Sequence, residues 1–170
     1  FLPLIRHGSA GARKRYAGVV EGEDGVEFVG MEVVRRDWTE LAKNVQRELY
    51  LRLFDDGPVV GFLRGYVRDL RLGKLDNLLV YRKGLRKALH EYTAITPPHV
   101  VAARKAKTLS RVVSYVVTTA GPEPLDNVQH ELDREHYVQR QVRPVAEPVL
   151  DVMGLDFDRA IGDDRQLGLF

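Results

Sequence analysis

The apolar residues of this chain change their period once, near residue 36, and that change limits what it can fold into. Over residues 15–35 the stretches "RYAGVV" and "VEFVGMEVV" are rich in β-branched and aromatic residues. Between them "EGEDG" ends in Asp24-Gly25, a turn dipeptide suited to joining antiparallel strands. From Asp37 onward the period is helical. "DWTE" has the form of a capping box, with Asp37 as N-cap and Glu40 reaching back from N3. Leu41, Val45, Leu49 and Leu53 follow at helical spacing. "DDGP" ends this helix, and Pro58 suits the first turn of a second one. Phe62, Leu63, Tyr66, Val67 and Leu70 give the second helix its apolar face, with Gly73 at its C-terminal stop.

The remaining segments alternate. "NLLVYRK" predicts a short strand, "PPHVVAARKA" a proline-started helix, "RVVSYVVTT" a strand and "AGPEPLD" a loop. "LDREHYVQRQVRPVAEPVL" predicts a long helix with a kink or break at Pro144 and Pro148, because each proline removes a donor and crowds the preceding turn. Residues 154–165 are polar and acidic and are expected to form a flexible tether. The fold class is α+β: a β-hairpin from the edge of a larger sheet, then a separate, mostly helical domain with short strands that starts near Arg36.

Composition narrows the function classes. Of the 170 residues, 44% are hydrophobic, enough for one medium domain or two small ones. There is no cysteine, which excludes a disulfide framework and a thiolate metal site. No apolar run approaches the ~20 residues of a membrane span, so no membrane partner is expected, and a soluble cytoplasmic location is the default. The first residue is Phe1, so the chain is expected to be the tail piece of something longer.

The net charge of +2 hides a segregation. Residues 1–59 carry −1, residues 60–115 carry +9 and residues 116–170 carry −6. A basic middle of this kind is the footprint of a polyanion ligand such as nucleic acid. The alternative is a solvated face whose cations pair with the acidic last third.

Four stretches concentrate the basic character. Arg13, Lys14 and Arg15 enter the first strand, and alternation puts Lys14 and Tyr16 on one face, where a cation and an aromatic edge can engage a phosphate and a sugar. Arg64, Arg68 and Arg71 form a stripe on the second helix. Arg82, Lys83, Arg86 and Lys87 surround Gly84, a cluster suited to gripping phosphates. His99 opens a helix near Arg104, in a structural or phosphate-contacting role. Each stretch also has a bland alternative as solvated surface. The other histidines lack metal-ligand spacing, and no phosphate loop or nucleophile elbow is present. No catalytic or metal-binding residue is assigned.

Together these stretches resemble the C-terminal part of family-B DNA polymerases, most closely the bacterial DNA polymerase II type. "RKRYAG" is similar to the family's Lys-x-Tyr element, here Lys14 and Tyr16. "GMEVVRRDW" resembles the passage from palm to thumb, including Gly30, Glu32, Arg35, Arg36 and Asp37. "YRKGLRKALHEY" with "PPHVVAAR" resembles the thumb stretch that grips duplex, and "YVVTTAGPEPLD" with "DREHYVQRQVRPVAEPVL" its terminal part. The connection between "PPHVVAARKA" and "TLSRVVSYVV", near Ala106, is shorter than in that family.

The resemblance implies residues 1–36 as the edge of the palm, 37–153 as the thumb and 154–165 as a tether. It implies primer–template DNA as a partner, contacted through the basic residues named above. The metal-binding aspartates of the family lie in motifs absent from this chain. Deoxynucleotide addition with Mg²⁺ would therefore need the upstream palm, with fingers and exonuclease, and this chain alone is expected to be inactive. Such enzymes serve DNA repair and damage-tolerant synthesis on the nucleoid. "QLGLF" at the C-terminus resembles the bacterial sliding-clamp-binding motif, which implies Gln166, Leu167, Leu169 and Phe170 as clamp contacts. Two alternatives are a stand-alone, non-catalytic DNA- and clamp-binding subunit and half of a split polymerase.

Overall fold

The structure is a computed structural model, and it describes residues 2–3, 16–19, 26–29, 31, 35 and 37–163. Among these, β1 (Leu2–Pro3), β2 (Tyr16–Gly18) and β3 (Glu27–Val29) form an antiparallel sheet in that order. β2 and β3 pair with Ala17 opposite Phe28, as the hairpin pattern predicts. The hairpin does not stand apart from the helices. Ala17 and Met31 are fully buried in the same core, and the Phe28 ring meets Tyr50 of the first helix edge-on at 5.6 Å.

Helix α1 (Glu40–Phe54) buries Leu41, Val45 and Leu49 on one stripe. Its cap is Thr39, not Asp37: the Thr39 hydroxyl accepts from the Ala42 N–H at 3.2 Å. Asp37 is unavailable because the Arg35 guanidinium forks onto its carboxylate. The helix therefore starts two residues later than the capping-box pattern suggests. Helix α2 (Val59–Arg71) buries Leu63, Val67 and Leu70. It ends as predicted, with Gly73 at φ 81°. There the N–H groups of Gly73 and Lys74 return to the carbonyls of Leu70 and Asp69, a closure that favours a residue without a Cβ.

The second sheet joins β4 (Tyr81–Gly84), β5 (Val112–Thr118) and β6 (Gly121–Pro124), all antiparallel. Helix α3 (Pro98–Arg104) packs on it. The strand expected over "NLLVYRK" is confined to its end, because Asp76–Leu78 forms a 3₁₀ turn whose Asp76 carboxylate receives the Arg134 fork. "AGPEPLD" is not simply a loop. Its first part is β6, which tolerates Pro122 and Pro124 because it is an edge strand. The outward-facing carbonyl of Pro122 accepts from Lys105 Nζ. β6 also buries a carboxylate, Glu123, at 2% exposure. Burial alone would raise its pKa, but the N–H groups of Gln129 and His130 and the His130 ring outweigh that and bring it to about 2.

The last long helical stretch is not broken at its prolines. Helix α4 (Arg134–Tyr137) runs into a π-turn (Val138–Val142) and then α5 (Arg143–Val152). The wider turn comes just before Pro144 and absorbs the missing donor. Residues 154–163 are not a free tether either. Helix α6 (Phe157–Ala160) puts Phe157, Ala160 and Ile161 into the main core at helical spacing. Arg143 binds Asp158 and lies 4.5 Å above the Phe157 ring. The charged residues between these three apolar positions hid the pattern in the sequence.

Two histidines lie close to the second sheet, His99 buried and His136 half-buried. His136 meets the Tyr81 hydroxyl at 2.8 Å, and His99 is 4% exposed with Tyr92 against its ring. Burial lowers both pKa values below the usual 6.5, and Lys83 and Arg86 add to the effect at His99.

Two measurements test this arrangement. Phe157→Ala should cost about 3–5 kcal/mol in urea unfolding, whereas a change in a free tether would stay within about 0.5 kcal/mol. The depressed histidines bind protons more readily in the unfolded chain. Their stability contribution is complete above 6.5 and lost as pH falls through the lower folded values. The melting temperature should fall between about pH 7.5 and pH 5.5, and a His99→Gln, His136→Gln double variant should flatten that fall.

Candidate nucleic-acid interface

β4 carries Arg82 and Lys83 on an exposed, ordered strand, and Arg86 and Lys87 follow in the next loop, also exposed. Among the described residues none of these four cations has a carboxylate partner within salt-bridge distance, which leaves their charge directed to solvent. Lys87 Nζ lies 4.7 Å over the Tyr92 ring, and the Tyr92 hydroxyl accepts from the Arg86 N–H. A Cβ at Gly84 would meet its nearest neighbour, the Arg111 carbonyl, at an ordinary 3.9 Å. The fold itself therefore does not demand a glycine there.

Beside the strand is a cleft of about 470 Å³. It is lined by Trp38, Glu40 and Lys43 at the start of α1, by Val80, Arg82, Lys83 and Gly84 at β4, and by Val112 of β5. A lining of Trp38 and two valines with three cations and one carboxylate, Glu40, suits a sugar–phosphate chain better than a small neutral ligand. Trp38 and Lys43 were hidden in the sequence because "DWTE" reads as a cap and Lys43 as an ordinary helical cation. Their placement, one residue before and four residues after the true cap at Thr39, depends on where α1 starts.

The other predicted contacts behave differently. Arg104 donates to the carbonyls of Leu89 and Tyr92 and to Thr96 Oγ1, so it fastens the loop after β4. His99 sits behind the cations with a buried Nδ1 that has no hydrogen-bond partner. The stripe on α2 is divided. Arg64 donates to the carbonyls of Ala160 and Arg159, and Arg71 binds both Glu135 and Asp163, which pushes its pKa upward. Of the three, Arg68 points to solvent, with a side chain 70% exposed beside Asp69. Arg64 and Arg71 thus tie α2 to the C-terminal segment and do not form one open stripe with Arg68. Arg13, Lys14, Arg15, the side chain of Tyr16 and the tail residues Gln166, Leu167, Leu169 and Phe170 lie outside the described residues. Among the described residues, no group of histidine, aspartate and glutamate side chains is placed to hold a metal ion.

The sequence signature of DNA polymerase family B matches residues 11–150. DNA polymerase II of Escherichia coli (strain K12) is 43% identical over 99% of this chain, which covers 23% of that protein. DNA polymerase 2 of Aeropyrum pernix is 34% identical over 91% of the chain and 21% of its own length. Among solved structures, the family B DNA polymerase of the hyperthermophilic archaeon Pyrobaculum calidifontis superposes with a TM-score of 0.66 at 30% identity. That superposition covers 86% of this chain and 21% of the archaeal one. The chain spans less than a quarter of the length of these relatives. With the signature running from the first hairpin through α5, this chain belongs to DNA polymerase family B.

Proposed function

We propose that this chain is the C-terminal palm edge and thumb of a bacterial DNA polymerase II-type enzyme, and that it holds primer–template duplex and recruits a sliding clamp. Residues 1–36 are the palm edge and residues 37 onward the thumb, which on the packing of α6 extends to about residue 163 before the clamp motif. The observation that carries the DNA-holding role is the unpaired cation set of Arg82, Lys83, Arg86 and Lys87 on and after an ordered strand. Phosphate neutralisation by such a set is independent of sequence and weakens as salt rises. His99 and Arg104 support the cluster from behind, Arg68 offers a separate exposed cation on α2, and Lys14 and Tyr16 would extend the grip along the palm edge. The chemistry of nucleotide addition and its Mg²⁺ belong to the upstream palm, and no step is assigned to residues of this chain.

The likeness to the Escherichia coli polymerase runs over 183 positions, more than this chain's 170 residues. That supports a trimmed connection, which the sequence pattern puts near Ala106. Lys107 and Thr108 donate their N–H groups to the Asp126 carboxylate there, so the short connection is tied down. The clamp-recruiting role rests on "QLGLF" itself. Leu169 and Phe170 would fill an apolar pocket at about 1.5–3 kcal/mol each, and Gln166 would add a directional hydrogen bond.

Fluorescence anisotropy with a labelled duplex tests the first role. Lys83→Glu with Lys87→Glu should weaken binding by about tenfold or more at moderate salt and make the logarithmic salt dependence shallower by roughly 2. Unchanged affinity would remove this surface from the interface. A titration with the sliding clamp tests the second. Leu169→Ala with Phe170→Ala should abolish clamp binding, leave duplex binding intact and change unfolding free energy by less than about 0.5 kcal/mol. A large stability loss with clamp affinity retained would place the tail in the core.

A further inference from the structure

Thr39 and Gln141 are 102 positions apart in the chain and meet inside the fold. Thr39 is fully buried and Gln141 is 6% exposed. The Gln141 Oε1 accepts from the Thr39 N–H at 3.2 Å and from its hydroxyl at 2.7 Å. Both partners are donors, so the amide must turn its oxygen toward Thr39. The hydroxyl already accepts from the Ala42 N–H, which leaves its single proton for Gln141. On the other side, Gln141 Nε2 donates to the Arg140 carbonyl at 3.2 Å. That carbonyl lies four residues before Pro144, which has no N–H to offer it. On the same helical stretch, His136 meets the Tyr81 hydroxyl at 2.8 Å and the Tyr137 ring stacks on Tyr81 at 5.5 Å. The stretch that carries Gln141 therefore seats the first residue of β4 through His136 and Tyr137, and Gln141 fastens the start of α1 to that same stretch, so both walls of the cationic cleft share one support.

We propose that Gln141 is a positioning residue for that cleft. It holds the start of α1, with Trp38 just before it, at a set separation from Arg82 and Lys83, so the cleft is formed before a phosphate chain enters. The proposal rests on the DNA-holding role above. It also assigns the π-turn a purpose: the widened turn lets the amide satisfy Arg140 and reach Thr39 at once.

Trp38 is the only tryptophan, so its fluorescence reports on one wall of the cleft directly. Gln141→Leu keeps the bulk and removes the acceptor. In the folded protein it should shift Trp38 emission to the red and raise acrylamide quenching. It should also weaken binding of a labelled duplex by about tenfold, with a salt dependence shallower by roughly 1–2. Thr39→Val should move every readout the same way, whereas Thr39→Ser, which keeps the hydroxyl, should stay near the parent. If Gln141→Leu melts lower but keeps the parent's emission, quenching and salt dependence, Gln141 only fills the core and the proposal is overturned. Should Gln141→Leu fail to fold, the contrast between Thr39→Val and Thr39→Ser decides in the same terms. A parent chain that does not bind duplex defeats the DNA-holding role instead, and the emission and quenching comparison then decides alone whether Gln141 sets the wall.

Discussion

The packing of α1 against the π-turn and α5 closes the fold, because it joins helices from opposite ends of the described chain. Each helix brings an apolar stripe of helical period, Leu41, Val45 and Leu49 on one side and Val142, Val145 and Val149 on the other, all fully buried. Each side chain contributes about 1.5–3 kcal/mol, far more than any exposed ion pair in the molecule. The closure fixes the remaining geometry. α2 lies against α1 and against the C-terminal helices, and β2 and β3 cover the end of the core through Ala17 and Phe28. The cleft exists because the start of α1 and the start of β4 are both anchored on this one core.

The segregated charge resolves into two populations of cations. Arg64 and Arg71 on α2 bind the acidic last third, Arg134 of that third binds Asp76, and Arg143 binds Asp158 of α6. Surface pairs of this kind contribute only about 0–1 kcal/mol each, so they select where the C-terminal segment lies more than they stabilise it. Arg82, Lys83, Arg86 and Lys87 have no such partners among the described residues. The chain therefore holds both a set of cations paired with the acidic third and a set of exposed cations without carboxylate partners among the described residues, on different elements.

Much of the fold was legible. The hairpin, α1, α2, α3 and β5 follow from period and punctuation, because each has an uninterrupted apolar face and a proline or glycine at its edge. The failures share a cause. Thr39 takes the cap because its burial and its partner Gln141 are tertiary facts, invisible beside a local Asp37–Glu40 pattern. β6 was hidden by two prolines that only an edge position permits, and α6 by acidic residues that mask Phe157, Ala160 and Ile161. In the site, a run of cations was visible, but whether a given arginine faces solvent or a carbonyl depends on what packs opposite it. Arg64 and Arg71 could not be separated from Arg68 by spacing.

The cationic strand itself needs support that its own residues do not supply. Unit charges about 8 Å apart in water repel by roughly 0.5 kcal/mol, reduced further by salt, so each neighbour in the set costs a fraction of a kcal/mol. Beneath β4, Tyr81 is stacked between Tyr115 at 5.1 Å and Tyr137 at 5.5 Å, and the Tyr137 hydroxyl accepts from the Val117 N–H. Ring pairs of this kind add about 0.5–1.5 kcal/mol beyond their buried area, enough to offset the repulsion. The ladder to β5 then holds Arg82 and Lys83 in register with Ser114 and Val113. The same cations on an unsupported loop would have to be ordered on binding, at about 1–2 kcal/mol for each residue fixed. On a strand seated on stacked tyrosines, Arg82 and Lys83 carry no such ordering cost.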